Sequence, residues 1–254
     1  MLAWPLYLSF LGALAMMLVR RPDSPVPRSA ALGVSLAGLA LALVAVIRQP
    51  PGAEPVTLLH HEWIPSLGAS LHLAADGLNA ALVLLTAVAS VAGVLFSWNV
   101  RERPREFFAL YLLLIGAMHG VFLSWDLLLF FVFYELAIIP KYLLIAFWGS
   151  TRREYAAMKL ALYSFLGSAT VLAGIVVLAA DNVPRSLDLS LLAQFPVADR
   201  VQEWAFPLLF AGFAVLAGLW PFHTWAPTGH VAAPTAASML LAGVTMKLGA
   251  YGCL

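Results

Sequence analysis

Apolar residues fall in eight long blocks separated by polar segments: Leu2 to Val19, Ala30 to Ile47, Asp76 to about Ser97, Phe107 to Leu123, Trp125 to Gly149, Tyr155 to Ala180, Trp204 to Trp220 and Pro234 to Leu254. A helix of about 20 apolar residues crosses the hydrocarbon core of a bilayer. The pattern predicts an all-α, polytopic membrane helix bundle of about eight transmembrane helices. The first block has no basic segment ahead of it and is followed by Arg20 and Arg21, the reverse of a signal peptide. Ala30 to Ile47 is rich in Gly and Ala, as suits close helix packing.

The polar segments have their own signals. Arg48 to about Leu73 carries Pro50, Pro51, Pro55 and Pro65 and is too polar to cross, with the makings of a short hairpin around VTLLHHEWIP. Asp76, followed by Gly-Leu-Asn, suits a helix N-cap. Asp181 to Glu203 is polar and has room for a short surface helix. The stretch LAGLWPFHTWAPTGHVAAPTAAS, Leu216 to Ser238, cannot be one continuous helix, because Pro221, Pro227 and Pro234 each remove a backbone donor. Irregular backbone at membrane depth is tolerated only inside protein or beside water, so a discontinuous seventh helix with access to water is expected.

Composition removes several function classes. Of 254 residues, 62% are hydrophobic and 11% charged, against about 25% charged in a typical soluble domain; mean hydropathy is +0.91. The partner implied directly is the lipid bilayer. A net charge of +1 argues against nucleic acid. The single Cys253 excludes an internal disulfide and any multi-cysteine iron-sulfur site. His60, His61, His72, His119, His223 and His230 show no ligand spacing of the HExxH kind, so no metal site is expected. Neither GxGxxG nor a Walker A loop occurs, so no nucleotide site is expected either.

Each ionisable side chain within an apolar block is then a functional candidate. Glu135 lies near the middle of WDLLLFFVFYELAIIPKYLLIAFWG, where a charge costs at least about 2.5 kcal/mol. It either exchanges a proton or, held protonated, glues two helices together. Lys141 lies about 120° and roughly 9 Å from Glu135 on an ideal helix, beyond an intrahelical pair. Nearer the end of its span, it reads as a snorkelling anchor and a secondary candidate.

Lys247 lies roughly 20 Å into the eighth block, well inside the hydrocarbon, as a proton carrier or in an ion pair with an unidentified acid. Lys159, one turn after Glu154, is a relay member or an interfacial anchor. His230, with His223 as a secondary candidate, belongs to the broken stretch. Histidine exchanges protons near neutral pH, although either ring could instead bond a carbonyl freed by proline. His119 reads as a hydrogen-bonded packing residue. Arg20, Arg21, Arg28, Arg101, Arg103, Arg105, Arg152 and Arg153 follow the odd-numbered blocks, whereas only Arg48, Arg185 and Arg200 follow the second and sixth. The positive-inside rule then puts the N-terminus in the periplasm of a bacterium and the chain in its inner membrane.

The phrases DLLLFFVFYELAIIPKYLLI, KLALYSFLGS and PFHTWAPTGHVAAPTAASMLLAGVTMKLGAYG together resemble the antiporter-like proton-channel subunits of respiratory complex I, most closely the M-type subunits of bacterial NADH-quinone oxidoreductases. Multisubunit cation/proton antiporters and membrane-bound hydrogenases use similar subunits. The resemblance implies proton translocation through a relay of Glu135, Lys159, His230 and Lys247, coupled to redox chemistry in other membrane-arm subunits. No cofactor is implied in this chain: NADH, flavin, iron-sulfur clusters and quinone belong to partners, and quinone concerns it only indirectly.

It also implies a division into residues 1–75, two helices plus a periplasmic loop, and residues 76–254, the third helix and the first of two five-helix repeats. The chain then looks truncated before a second repeat. One position departs: where the family usually carries a lysine before the helix break, this chain has Leu216. Three consequences are open, namely substitution by another cation such as Lys159, altered coupling, or a structural paralogue that does not pump.

Overall fold

The computed structural model describes residues 1–18, 26–48, 55–181, 186–194 and 197–254. Arg20, Arg21, Pro50, Pro51 and Arg185 lie outside the described residues. The helices are α1 (Trp4–Met17), α2 (Val26–Arg48), α3 (Gly77–Phe96), α4 (Pro104–Leu123), α5 (Leu127–Trp148), α6 (Arg153–Asp181), α7 (Leu189–Gln194), α8 (Asp199–Ala217), α9 (Trp225–Ala232), α10 (Thr235–Leu240) and α11 (Met246–Gly252). A π-helical turn, Leu241–Thr245, joins α10 to α11.

Among the described residues, α2 to α6 and the run Asp199–Ala232 make six helical stretches long and apolar enough to cross a membrane. The shorter α1 and the composite α10–α11 account for the other two apolar blocks. The molecule is a polytopic helical membrane bundle. Its hub is α4, with 83% of its apolar window buried against 28% for α2, and it packs against α1, α3 and α5. Leu162, Phe165 and Leu166 on α6 and Phe206 and Phe210 on α8 are exposed, an apolar surface suited to lipid.

Hydrogen bonds show which loops share an end. Arg28 donates to the Val100 carbonyl (2.8 Å) and the Trp148 indole to that of Glu102 (2.7 Å), so the start of α2, the α3–α4 loop and the end of α5 meet. At the opposite end the expected hairpin is present: β1 (Val56–Ile64) pairs antiparallel with β2 (Ala69–Ala75). Its β2 strand receives the Trp125 amide on the His72 carbonyl (2.8 Å), and the Leu187 amide reaches Gly68 (3.0 Å). The hairpin, the α4–α5 junction and the segment before α7 therefore form one cap.

Asp76 caps α3 as expected, its carboxylate accepting from the Asn79 amide while Asn79 accepts from the Asp76 amide. The polar stretch after α6 holds the short helix α7, but α8 begins at Asp199, a turn earlier than hydropathy indicates. Asp199 sits in its first turn, where an acid complements the helix dipole.

The seventh span is broken. Helix α8 stops at Gly218 (φ +72°), with the Leu219 amide bonded back to the Ala214 carbonyl at 2.9 Å, an ending that favours glycine. The Trp225 indole satisfies the Val215 carbonyl at 2.9 Å. A 3-10 turn, Phe222–Thr224, leads into α9. Pro227 does not contribute to the break as its sequence position implied. It lies in the first turn of α9, where an amide would have had no intrahelical partner in any case.

Candidate proton-transfer site

Helix α5 is set by its cap. The Asp126 carboxylate accepts from the Leu128 and Leu129 amides (2.9 and 3.0 Å) and from the Ser70 amide in β2 (2.8 Å). Burial pushes this carboxyl above its usual range, against the pull of those hydrogen bonds. The cap ties the helix to the hairpin, and Glu135 follows in the third turn. Glu135 is part-buried, and its Oε1, closed off from solvent, has no hydrogen-bond partner among the described residues.

Lys141 corrects the anchor reading. It is 2% exposed, packed inside the bundle, with its Nζ 5.3 Å from the centroid of the Tyr134 ring. Helical side chains lean toward the N-terminus, which carries the ammonium back along α5. It forms no direct ion pair with Glu135, six positions earlier on the same helix. Ideal spacing excluded contact with Glu135 correctly but missed this lean, and with it the burial of Lys141.

Lys159 and His230 belong to a second locus, where α6 meets α9. The Lys159 ammonium donates to Thr228 Oγ1 at 3.3 Å and lies 6.0 Å from the Tyr155 ring centroid. One turn on, the Tyr163 and Thr224 hydroxyls are 2.9 Å apart. His230 is part-buried in the same helix, its Nδ1 enclosed without a partner among the described residues, while its carbonyl accepts from Ser238 across the break. His223 is exposed beside the 3-10 turn. His119 is buried in α4, but the reading of a hydrogen-bonded packing residue does not hold: neither ring nitrogen has a hydrogen-bond partner among the described residues.

Lys247, expected deep in the hydrocarbon and in the relay, is on the exposed surface of the described residues, and its ammonium donates to the Ala242 carbonyl at 3.0 Å. The cause is local. The π turn widens the backbone and leaves that carbonyl open to the lysine five residues on. Glu135 and Lys141 thus share α5, Lys159 bonds the helix that carries His230, and Lys247 bonds the backbone of its own stretch.

This broken-helix arrangement coincides with a known sequence family. Residues 124–254, just over half of the chain, match the family described as "NADH:quinone oxidoreductase/Mrp antiporter, TM". The chain belongs to this family. It is similar to NAD(P)H-quinone oxidoreductase chain 4 3 of Picosynechococcus sp., at 42% identity over 76% of this chain and 36% of that protein. It is also similar to NADH-quinone oxidoreductase subunit M of Rhodobacter capsulatus, at 34% identity over 98% of this chain and 51% of the relative. A chain of respiratory complex I from Thermus thermophilus superposes with a TM-score of 0.86 at 25% identity, covering 99% of this chain and 51% of that one. The chain therefore spans about half the length of these relatives or less.

Leu216, where the resemblance implies a lysine, has a specific place in the packing. It is 2% exposed and lies against Gly167 of α6, where an added Cβ would come within 3.0 Å of it. A group that spacing missed altogether is His60, His72 and Asp188 at the hairpin end, whose ligand atoms lie within 4.8 Å of one another. His60 and His72 are direct cross-strand partners. The hairpin register, once drawn from VTLLHHEWIP, is the signal that would have paired them.

Proposed function

We propose that this chain is a proton-translocating membrane subunit of an NADH-quinone oxidoreductase, with the redox chemistry and its cofactors in partner membrane-arm and peripheral subunits. The observation that carries the reading is on α5: an enclosed carboxylate oxygen without a hydrogen-bond partner among the described residues, and on the same helix a lysine held inside the bundle. Each charge lowers the cost of keeping the other away from water, so a proton arriving at Glu135 changes the balance at Lys141. Lys141 supplies the cation that the family usually places where Leu216 stands. Lys159, Thr228 and His230 offer a path along α6 and α9, and Lys247 a later station.

The test is proton pumping by the whole complex in sealed vesicles, with NADH oxidation followed in parallel. Glu135→Gln and Lys141→Leu are expected to lower the protons moved per NADH, and Lys141→Arg to retain most of them. Wild-type stoichiometry in both Glu135→Gln and Lys141→Leu rejects the reading. Sodium-dependent transport without an electron donor would assign the chain to the antiporter branch instead.

The arginines support an orientation. Arg28, Arg101, Arg103, Arg105, Arg152 and Arg153 belong to the end opposite the hairpin, which makes that end cytoplasmic and the hairpin periplasmic in a bacterial inner membrane. In a Cys253→Ser background, Leu67→Cys is expected to react with an impermeant thiol reagent in intact spheroplasts and Glu154→Cys only after lysis. The opposite pattern inverts the topology.

A further inference from the structure

We propose that His60, His72 and Asp188 form a binding site for a divalent transition-metal ion of the zinc type at the hairpin end of the bundle. This assignment is independent of the proton-transfer reading. His60 and His72 stand opposite each other across β1 and β2, their rings 4.8 Å apart between centroids and nearly perpendicular at 85°. Asp188 arrives from the segment after α6. It is fixed by the Leu189 amide on the Trp125 carbonyl (2.9 Å) and the Leu187 amide on the Gly68 carbonyl (3.0 Å). Its Oδ1 accepts from the Ser190 amide at 2.8 Å, which turns Oδ2 toward the histidines, 2.5 Å from His72 Nδ1 and 3.7 Å from His60 Nε2.

The chemistry selects the ion. Two imidazole nitrogens and one carboxylate oxygen suit Zn2+ with water in the fourth position, and they do not suit Ca2+ or Mg2+, which take oxygen ligands. The remaining ring nitrogen of His72 lies 3.3 Å from Thr57 Oγ1, the kind of outer contact that orients a ligating imidazole. Asp188 and His72 are buried, whereas the His60 side chain is 51% exposed, and a cavity of about 230 Å3 lined by His60, Glu62, Ser70 and Asp188 opens onto them. An entry path and room for the water are therefore present.

Around a tetrahedral zinc the ligand atoms are about 3.3 Å apart. The Asp188–His60 separation is already close to this. The short Asp188–His72 contact has to open by under 1 Å, and the proton shared there leaves to solvent as the metal enters. Bound, the ion would clamp both strands of the hairpin to the segment ahead of α7.

The test uses the full protein in detergent, stripped with a chelator and titrated with Zn2+, reading metal content and thermal midpoint. Wild type is expected to take up one zinc more per chain than His60→Ala and to gain in thermal midpoint on zinc addition. Both effects are expected to be absent in His60→Ala and in Asp188→Asn. Because His60 is half exposed, His60→Ala leaves the fold in place, and its melting without metal serves as the control. Tetrahedral Co2+ absorption that appears in wild type and not in His60→Ala would support the same donor set. Equal zinc content and equal thermal shifts in wild type and His60→Ala overturn the proposal.

Discussion

 Lys141 is 2% exposed in a helix in which 19 of 22 residues are apolar, and it shares that helix with a carboxylate oxygen that has no hydrogen-bond partner among the described residues. The two charges of that helix form a thermodynamic unit. Removing Lys141 alone leaves Glu135 unbalanced, and removing Glu135 alone does the same to Lys141. In a double-mutant cycle of Glu135→Gln and Lys141→Leu, read by thermal denaturation of the complex, the double variant is expected to be more stable than the two single losses add up to, by about 0.5–3 kcal/mol. Additivity within about 0.5 kcal/mol would mean that the charges do not sense each other.

The sequence already singled out Glu135, Lys159 and Lys247, because an ionisable residue in an apolar block stands out whatever the fold, and His230, because it falls in a stretch that proline breaks. Which of them meet was not legible, since that depends on how side chains lean and on one extra residue in a turn. Lys141 and Lys247 show both effects, one drawn inward along α5 and the other drawn back onto an open carbonyl.

At the scale of elements, α5 depends on its cap and on close approach to α4. Asp126→Ala removes two amide partners at the helix start and one in β2, and is expected to lower stability by about 1–3 kcal/mol in thermal denaturation. A loss below about 0.5 kcal/mol would show that the cap adds little. Gly120→Ala puts a methyl into the Phe133 ring of α5 and is expected to destabilise by about 1–3 kcal/mol, whereas Gly33→Ala, which meets nothing within 4 Å, is expected to be neutral or slightly stabilising. Helix spans were legible from hydropathy because lipid demands long apolar runs. The start of α8 was not, since its first turn is polar and exposed while still helical.

For the whole molecule, polarity is divided between two ends. One carries the arginine-bearing loops, and the other carries the hairpin, the Asp126 cap and the His60–His72–Asp188 group. Membership of the bundle class followed from composition and the hairpin from its local signals, but the meeting of the hairpin with Asp188 did not, because His72 and Asp188 are more than a hundred positions apart. No local period records such a meeting.

The widened turn between α10 and α11 has a mechanical consequence. A helix carrying one surplus residue absorbs it in the widened turn, so deleting that residue restores regular winding and leaves the side chains beyond it facing much as before. Deleting Ala242 would thus leave Lys247 on the same face but without the open carbonyl it now bonds, freeing its ammonium for another acceptor.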